Sequence, residues 1–294
     1  MTMTPLIYRW EHAVNSHELL EDVHRQIREA SARQFRGADY VNAIEADIIW
    51  SEAQQKPVMG HPPQVDGELT LEAFLAEMTA LSELFGQFPD VGETPLIVKL
   101  DFKSSRAFEA AYGLLRRFIQ AFPFPRGVFV NADILVGPAN TKEIHFDAAV
   151  FLRDAAALGF IDGPNEHKIV LSVGWTTSNS TDEEIRRPYT EAMVDEMLTA
   201  LNPYKHLQVT FPLRATSCQS SWNAIKKLLT AQQNYGFTLW WAKTQMTDAE
   251  IEWLFHTLEE TNGHDGSSTP FADRTFYDIK GFEEFLQRRK QLTH

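Results

Sequence analysis

Two apolar stretches of this chain end in alternating charged residues: YVNAIEADI, residues 40–48, and LIVKLDFK, residues 96–103. Short runs rich in Val, Ile and Leu are typical of buried strands. Side chains two positions apart lie on the same face of a strand, so Glu45 is expected beside Asp47, and Asp101 beside Lys103. The two stretches therefore predict a buried sheet whose strand ends carry three carboxylates and an ammonium group.

Similar apolar runs recur along the chain, and amphipathic helical patterns separate them. The predicted strands are Leu6–Trp10, Tyr40–Ile48, Leu96–Phe102, Val128–Asp133, Ile169–Val173, Leu207–Phe211, Phe237–Trp241 and Thr275–Ile279. The predicted helices are Glu18–Ala30, Leu71–Leu84, Ala107–Ala121, Phe146–Leu158, Tyr189–Leu201, Trp222–Ala231, Asp248–Leu258 and Gly281–Gln291. Eight strands alternating with eight helices predict a parallel sheet, and eight strands can close a barrel. We therefore expect an α/β fold, a single (βα)8 TIM barrel domain over residues 1–294.

Most of the strand-to-helix connections are long, and in a barrel of this kind they form the face that carries the active site. Nearly every predicted strand also brings a polar or aromatic residue to that face. These residues are His12, Glu45, Asp47, Asp101, Lys103, Asn131, Asp133, Trp175, Arg214 and Trp240, and His61 lies in the long loop after the second strand. The C-terminal ends of the strands are therefore the predicted functional site.

The composition excludes some classes of partner. The 294 residues carry a formal net charge of -13, which argues against nucleic acid and anionic membranes as partners. Cys218 is the only cysteine, so an intrachain disulfide is impossible. No leader-like or membrane-spanning segment is recognisable, and together these features lead us to expect a cytoplasmic protein. Nothing in the sequence indicates the oligomeric state.

The predicted cluster has the chemistry of a hard-cation site. Glu45, Asp47 and Asp101 offer oxygen ligands, which Mg²⁺ and Ca²⁺ prefer, and no Cys/His cluster suggests zinc. The alternative is a structural ion-pair network around Lys103 and Lys99, since Lys99 shares the strand face of Asp101. Asn15 is expected to cap the first helix and not to join the site.

Several motifs in the same order resemble the menorin family, which is related to phospholipase-C-like phosphodiesterase barrels. They are WEHAVNS (10–16), IEAD (44–47), MGHPP (59–63), KLDFKS (99–104), NADIL (131–135), LSVGWTT (171–177) and VTFPLRA (209–215). In the wider superfamily, glycerophosphodiester phosphodiesterases combine a histidine after strand one, Glu-x-Asp on strand two, a second histidine in the next loop and acidic-x-Lys on strand three. This chain departs from them after each histidine, at Ala13-Val14 and at Pro62-Pro63.

The resemblance implies a role for each residue. Glu45, Asp47 and Asp101 would bind one divalent cation, Mg²⁺ or Ca²⁺; His12 and His61 would be base and acid; and Lys103 would hold the phosphate. Asn131, Trp175, Arg214 and Trp240 are the expected substrate-binding residues.

The resulting hypothesis is a metal-dependent phosphoric diester hydrolase that acts on a small or lipid-derived phosphodiester, with a cyclic phosphate as product where a neighbouring hydroxyl can attack. Two alternatives stay open. One is a non-catalytic barrel that binds a ligand or protein partner through the same pocket. The other is Mg²⁺-assisted enolate chemistry with Lys103 as the base.

Overall fold

The computed structural model describes residues 5–35, 40–138, 144–160, 167–177, 181–260 and 271–292. Its strands are β1 (Trp10–Glu11), β2 (Ala43–Ser51), β3 (Lys56–Met59), β4 (Ile97–Phe102), β5 (Val128–Leu135), β6 (Ile169–Trp175), β7 (Val209–Arg214), β8 (Tyr235–Trp241) and β9 (Thr275–Ile279). Its α-helices are α1 (His17–Ala32), α2 (Leu71–Gly86), α3 (Ser105–Ala121), α4 (Ala148–Gly159), α5 (Glu191–Leu201), α6 (Ala215–Ala231), α7 (Asp248–Phe255) and α8 (Phe282–Leu292).

Strands and helices alternate throughout these residues, which confirms the predicted α/β class and the strand–helix succession of a (βα)8 barrel. Only β3 interrupts the succession; it pairs antiparallel with β2 as the second strand of a hairpin.

Capping residues explain where most of the helices begin. The side chains of Ser16, Thr70, Ser104, Asp147, Thr190 and Thr247 each accept a hydrogen bond from a backbone N–H in the first turn.

The chain divides into two compact units. The first unit contains Arg9–Ile134 and Ile144–Val173, and the second contains Met1–Tyr8, Leu135–Glu143 and Gly174–His294. In the first unit β1, β2, β4, β5 and β6 follow one another in the sheet, and in the second unit β7, β8 and β9 are parallel neighbours. The single domain over residues 1–294 stays a prediction.

The first predicted strand is the largest departure from the sequence analysis. Residues Pro5–Ile7 form a 3-10 turn, and the strand itself is limited to Trp10–Glu11. The backbone N–H of Tyr8 donates to the carbonyl of Pro5 at 3.1 Å, a turn that an extended chain does not make.

No helix among the described residues has both the length and the apolar character needed to cross a membrane.

Candidate metal centre

The predicted carboxylate cluster is formed by the middle of β2 and the C-terminal end of β4 in the first unit, because β2 continues past its predicted end at Ile48 to Ser51. These strands are parallel neighbours, and their register places Asp47 opposite Asp101 and Glu45 opposite Lys99. Ile44, Ala46 and Ile48 alternate with the acidic residues on β2, so apolar and acidic side chains take opposite faces. One carboxylate oxygen from each of Glu45, Asp47 and Asp101 lies within 4.8 Å of the other two. The sequence prediction that these three groups converge is therefore confirmed.

Lys103 lies between two of these carboxylates. Its Nζ is 2.9 Å from Asp47 Oδ1 and donates to Asp101 Oδ2 at 2.8 Å. Burial lowers the pKa of Lys103, but the charges of Asp101, Asp47 and Asp133 outweigh that effect and place the pKa well above its ordinary value. Lys103 therefore carries a positive charge at neutral pH within the cluster.

The pKa values of Glu45 and Asp101 shift in opposite directions, although burial opposes the ionisation of both. Burial, reinforced by the charge of Asp47, raises the pKa of Glu45, whose Oε1 is 4.0 Å from Lys99 Nζ. Burial also opposes ionisation of Asp101, but the charges of the two lysines and a hydrogen bond from Lys103 lower its pKa overall. The positive charges near Asp101 therefore compensate its negative charge better than those near Glu45 do.

Two asparagines hold the carboxylates of Asp47 and Asp101. Asn15 Nδ2 donates to Asp47 Oδ2 at 2.8 Å, and the backbone N–H of Asp47 donates back to Asn15 Oδ1 at 2.8 Å. Asn131 forms a side-chain hydrogen bond with Asp101, and its Oδ1 accepts from Ser172 Oγ at 2.5 Å. The expectation that Asn15 caps the first helix is wrong, because Ser16 is the N-cap and Asn15 is committed to Asp47. A role for Asn131 in substrate binding stays a prediction.

The segment after β1 brings His12 to the cluster. The backbone N–H of Ala13 donates to Glu45 Oε2 at 2.8 Å, and that of Val14 donates to the Glu45 carbonyl at 2.9 Å. Ala13 adopts φ +57°, a left-handed conformation, at the point where these two N–H groups meet Glu45 of β2. His12 Nδ1 lies 3.5 Å from Glu45 Oε2, with 32 % of the side chain exposed. His12 is thus placed beside Glu45 with part of its side chain open to solvent, and its role as a base stays a prediction.

His61 follows a residue that is hydrogen-bonded to β2. The N–H of Gly60 donates to the carbonyl of Asp47 at 3.0 Å, which anchors the residue before His61 to β2 at Asp47. The His61 side chain itself is exposed, with Nδ1 2.6 Å from the carbonyl oxygen of Pro62. Its role as an acid stays a prediction.

Asp133 is a fourth carboxylate that the sequence analysis did not assign to the metal. It lies two residues beyond Asn131 on β5, and Asn131 is the register partner of Asp101. Burial, together with the negative charge of Asp101, raises the pKa of Asp133 to about 7. The signal was present in the sequence, since Asn131 and Asp133 share a strand face.

Comparison with known proteins assigns the chain to a family. The model of the menorin N-terminal domain matches residues 6–263. The chain belongs to the menorin family. Human protein FAM151B, a relative of this menorin-family chain, is 30 % identical over 210 residues, which cover 70 % of this chain and 67 % of that protein.

Solved structures resemble this menorin-family chain more distantly. A glycerophosphodiester phosphodiesterase from Thermotoga maritima is 12 % identical over 91 % of each chain, with a TM-score of 0.41. A family 5 glycoside hydrolase from Prevotella bryantii is 10 % identical over 97 % of this chain and 94 % of that chain, with a TM-score of 0.47. Because the scores are low and the two proteins have different activities, these likenesses do not bear on the reaction.

The net charge of the carboxylate cluster fits a divalent cation. Four carboxylates, Glu45, Asp47, Asp101 and Asp133, interact electrostatically with two ammonium groups, Lys99 and Lys103, so full ionisation would leave two negative charges in excess. An unbalanced charge is costly inside a protein unless a counter-ion or a proton compensates it. The oxygen donors of Glu45, Asp47 and Asp101 suit Mg²⁺ or Ca²⁺.

The other three predicted substrate-binding residues belong to the second unit. Trp175 and Arg214 are buried at the ends of β6 and β7, while Trp240 on β8 is half-buried and is the register partner of Arg214. The backbone N–H of Arg214 donates to Tyr189 Oη at 3.2 Å, and the rings of Trp175 and Tyr189 are 5.4 Å apart. Burial lowers the pKa of the Arg214 guanidinium. Their contacts with substrate stay predictions.

Proposed function

We propose that this menorin-family protein is a metal-dependent phosphodiesterase that acts on a small or lipid-derived phosphodiester. The observation that carries the proposal is the convergence of three carboxylate oxygens within 4.8 Å, with Lys103 and His12 on the same cluster. Phosphoryl transfer uses each of these groups, since it needs charge neutralisation, a proton donor and a proton acceptor.

Glu45, Asp47 and Asp101 would hold the cation, and Asn15 and Asn131 would keep Asp47 and Asp101 in position. When bound, a divalent cation polarises phosphoryl oxygens and offsets the charge that develops on them. Lys103 adds a compact positive charge for a phosphate oxygen.

His12 is the proposed proton-transfer group. Glu45 Oε2 lies 3.5 Å from its Nδ1, so the carboxylate can orient the ring and stabilise its protonated form. In this role the His12 ring would take a proton from a reacting hydroxyl or give one to the leaving group. His61, on the loop anchored at Asp47, is the proposed partner for the second proton transfer. Where the substrate carries a neighbouring hydroxyl, attack by that hydroxyl would give a cyclic phosphate.

The test uses bis-p-nitrophenyl phosphate as substrate. Protein treated with EDTA should release p-nitrophenol only after Mg²⁺, Ca²⁺ or Mn²⁺ is added back. His12→Ala should lose about 10²–10⁴-fold in rate, the usual contribution of a positioned acid or base, and should still bind the metal by calorimetry. His17→Ala is the matched control, because His17 is an exposed residue of α1. Equal rates in the two variants would contradict the role of His12.

A non-catalytic pocket is the second candidate, and the exposure of His61 favours it. In that case metal would bind, but neither this substrate nor a panel of glycerophosphodiesters would be hydrolysed. A phosphomonoester or cyclic phosphate among the products would exclude the binding-only reading and enolate chemistry alike. A cytoplasmic location remains part of the proposal, supported by Cys218 being the only cysteine.

A further inference from the structure

Lys103 contacts the same carboxylates that would ligate a cation. Its Nζ is 2.9 Å from Asp47 Oδ1 and 2.8 Å from Asp101 Oδ2, and 19 % of its side chain is exposed. Both distances are those of charge-assisted hydrogen bonds, so the ammonium group occupies one coordination position of each carboxylate. The exposed fraction leaves a route by which the flexible side chain can move toward solvent.

The carboxylates themselves do not depend on Lys103 for their orientation. Asp47 exchanges two hydrogen bonds of 2.8 Å with Asn15, and Asp101 is bonded to Asn131, which Ser172 holds in turn. Such outer hydrogen bonds fix a ligand before the metal arrives. If the ammonium group moved away, the two carboxylates would therefore keep their orientation.

We propose that Lys103 and the divalent cation bind alternately to Asp47 and Asp101, so that cation binding releases the Lys103 ammonium group toward the substrate phosphate. The inference rests on the proposed function and adds to it the state of the site without metal. Two cations on the same pair of oxygens repel each other strongly inside a protein, because the effective dielectric constant there is low. Without metal, Lys103 neutralises the buried carboxylates; with metal, it becomes available to an anionic ligand.

Lys99 supplies a matched control for the charge itself. It lies on the same strand face as Asp101, and only 3 % of its side chain is exposed. Its Nζ is 4.0 Å from Glu45 Oε1, beyond hydrogen-bond distance. Removal of either lysine takes one positive charge from the site, but only removal of Lys103 vacates a coordination position.

Calorimetry with Ca²⁺ and with Mg²⁺ on wild type, Lys103→Met and Lys99→Met tests the exchange. Lys103→Met should bind the cation at least tenfold more tightly than Lys99→Met does, because it has no ammonium group to displace. Equal affinities in the two variants would show a general charge effect and overturn the proposal.

A second measurement needs no variant and therefore does not depend on how Lys103→Met folds. Wild-type protein is acetylated briefly with acetic anhydride, with and without Ca²⁺, and modification is read by peptide mass. Lys103 should become several-fold more reactive when Ca²⁺ is bound, while the exposed Lys56 provides the internal reference. Unchanged or reduced reactivity of Lys103 at saturating Ca²⁺ would overturn the exchange.

The two levels of proposal fail in different ways. If none of the three proteins binds Ca²⁺ or Mg²⁺, the metal-dependent function and the exchange both fall. If wild type binds metal, but Lys103→Met and Lys99→Met have equal metal affinities and Ca²⁺ leaves the acetylation of Lys103 unchanged, only the exchange falls. If only Lys103→Met binds metal, wild type has no cation-bound state, and the exchange and the metal-dependent activity both fall.

Discussion

Asn15 is the residue whose role the local sequence conceals. Its amide contacts both the side chain and the backbone of Asp47, whereas its neighbour Ser16 caps α1. We expect Asn15→Ala to weaken Ca²⁺ or Mg²⁺ binding by about 10–100-fold, the usual effect of removing a partner that orients a ligand. Ser16→Ala should lose about 1 kcal/mol of unfolding free energy through its cap and keep its metal affinity. Calorimetry and urea denaturation on both variants separate the orienting role of Asn15 from the capping role of Ser16. Equal metal affinities in the two variants would contradict the role proposed for Asn15.

Cys218 is predicted to be chemically inert in the folded protein. It is buried in α6, its Sγ lies 3.5 Å from the carbonyl oxygen of Arg214, and burial raises the pKa of the thiol to about 12. Because the thiolate is the reactive form, iodoacetamide at pH 8 should label Cys218 only after denaturation. Mass spectrometry of native and urea-treated protein gives the two extents of labelling. Rapid labelling of the native protein would place Cys218 in an accessible environment and contradict this prediction.

Strand alternation explains why the acidic residues could be predicted and Asn15 could not. Glu45, Asp47 and Asp101 follow a strict period of two on strands whose apolar residues identify the buried face. Asn15 reaches Asp47 from a segment in which Ala13 has a positive φ, and alanine gives no sequence signal for that conformation. No periodic rule places a side chain in such a segment.

At the scale of elements, the segment His256–Glu260 after α7 gives a prediction of pH dependence. Glu259 accepts a hydrogen bond of 2.7 Å from Tyr277 Oη on β9, and burial raises its pKa to about 7 from 4.5. The folded protein therefore holds this proton more tightly than the unfolded chain. The stabilisation is complete below pH 4.5 and is lost as the pH rises through 7.

Replacement of Glu259 by glutamine tests this linkage. Glu259→Gln keeps an acceptor for Tyr277 without the ionisation, so it should be more stable than wild type at pH 8 and equal to it at pH 4. Urea denaturation at both pH values measures the difference, with the exposed residue Glu196, replaced by glutamine, as the control. A difference between Glu259→Gln and wild type that is the same at both pH values would contradict the assignment.

The element boundaries show where periodicity alone is insufficient. Thr275–Ile279 was predicted residue for residue, whereas the predicted helix at Trp222 in fact begins at Ala215. Arg214 makes no side-chain cap there, so the helix start carries no sequence signal. The hairpin strand Lys56–Met59 was missed because it is short, lies inside a predicted loop and contains Pro57.

At the scale of the whole molecule, net charge makes specific and non-specific cation binding hard to separate. The chain carries a formal charge of -13, so any added cation screens repulsion between its surface carboxylates. The candidate centre differs from that surface because Glu45 and Asp47 are buried and its four carboxylates outnumber its two lysines. Stabilisation by a divalent cation should therefore exceed that by a monovalent salt of equal ionic strength.

Thermal unfolding provides the measurement. At a hundredfold excess over Kd, a ligand bound only by the folded state adds about 2.7 kcal/mol, or roughly 5 °C in Tm for a chain of this size. Wild type should show this rise with Ca²⁺ or Mg²⁺ and should lose it with EDTA. Asp101→Asn should abolish the rise, because it removes a proposed ligand, while Glu29→Gln, at an exposed position on α1, should keep it. An equal rise in both variants would assign the stabilisation to surface screening, and the buried carboxylates would then be a structural ion-pair network around Lys99 and Lys103.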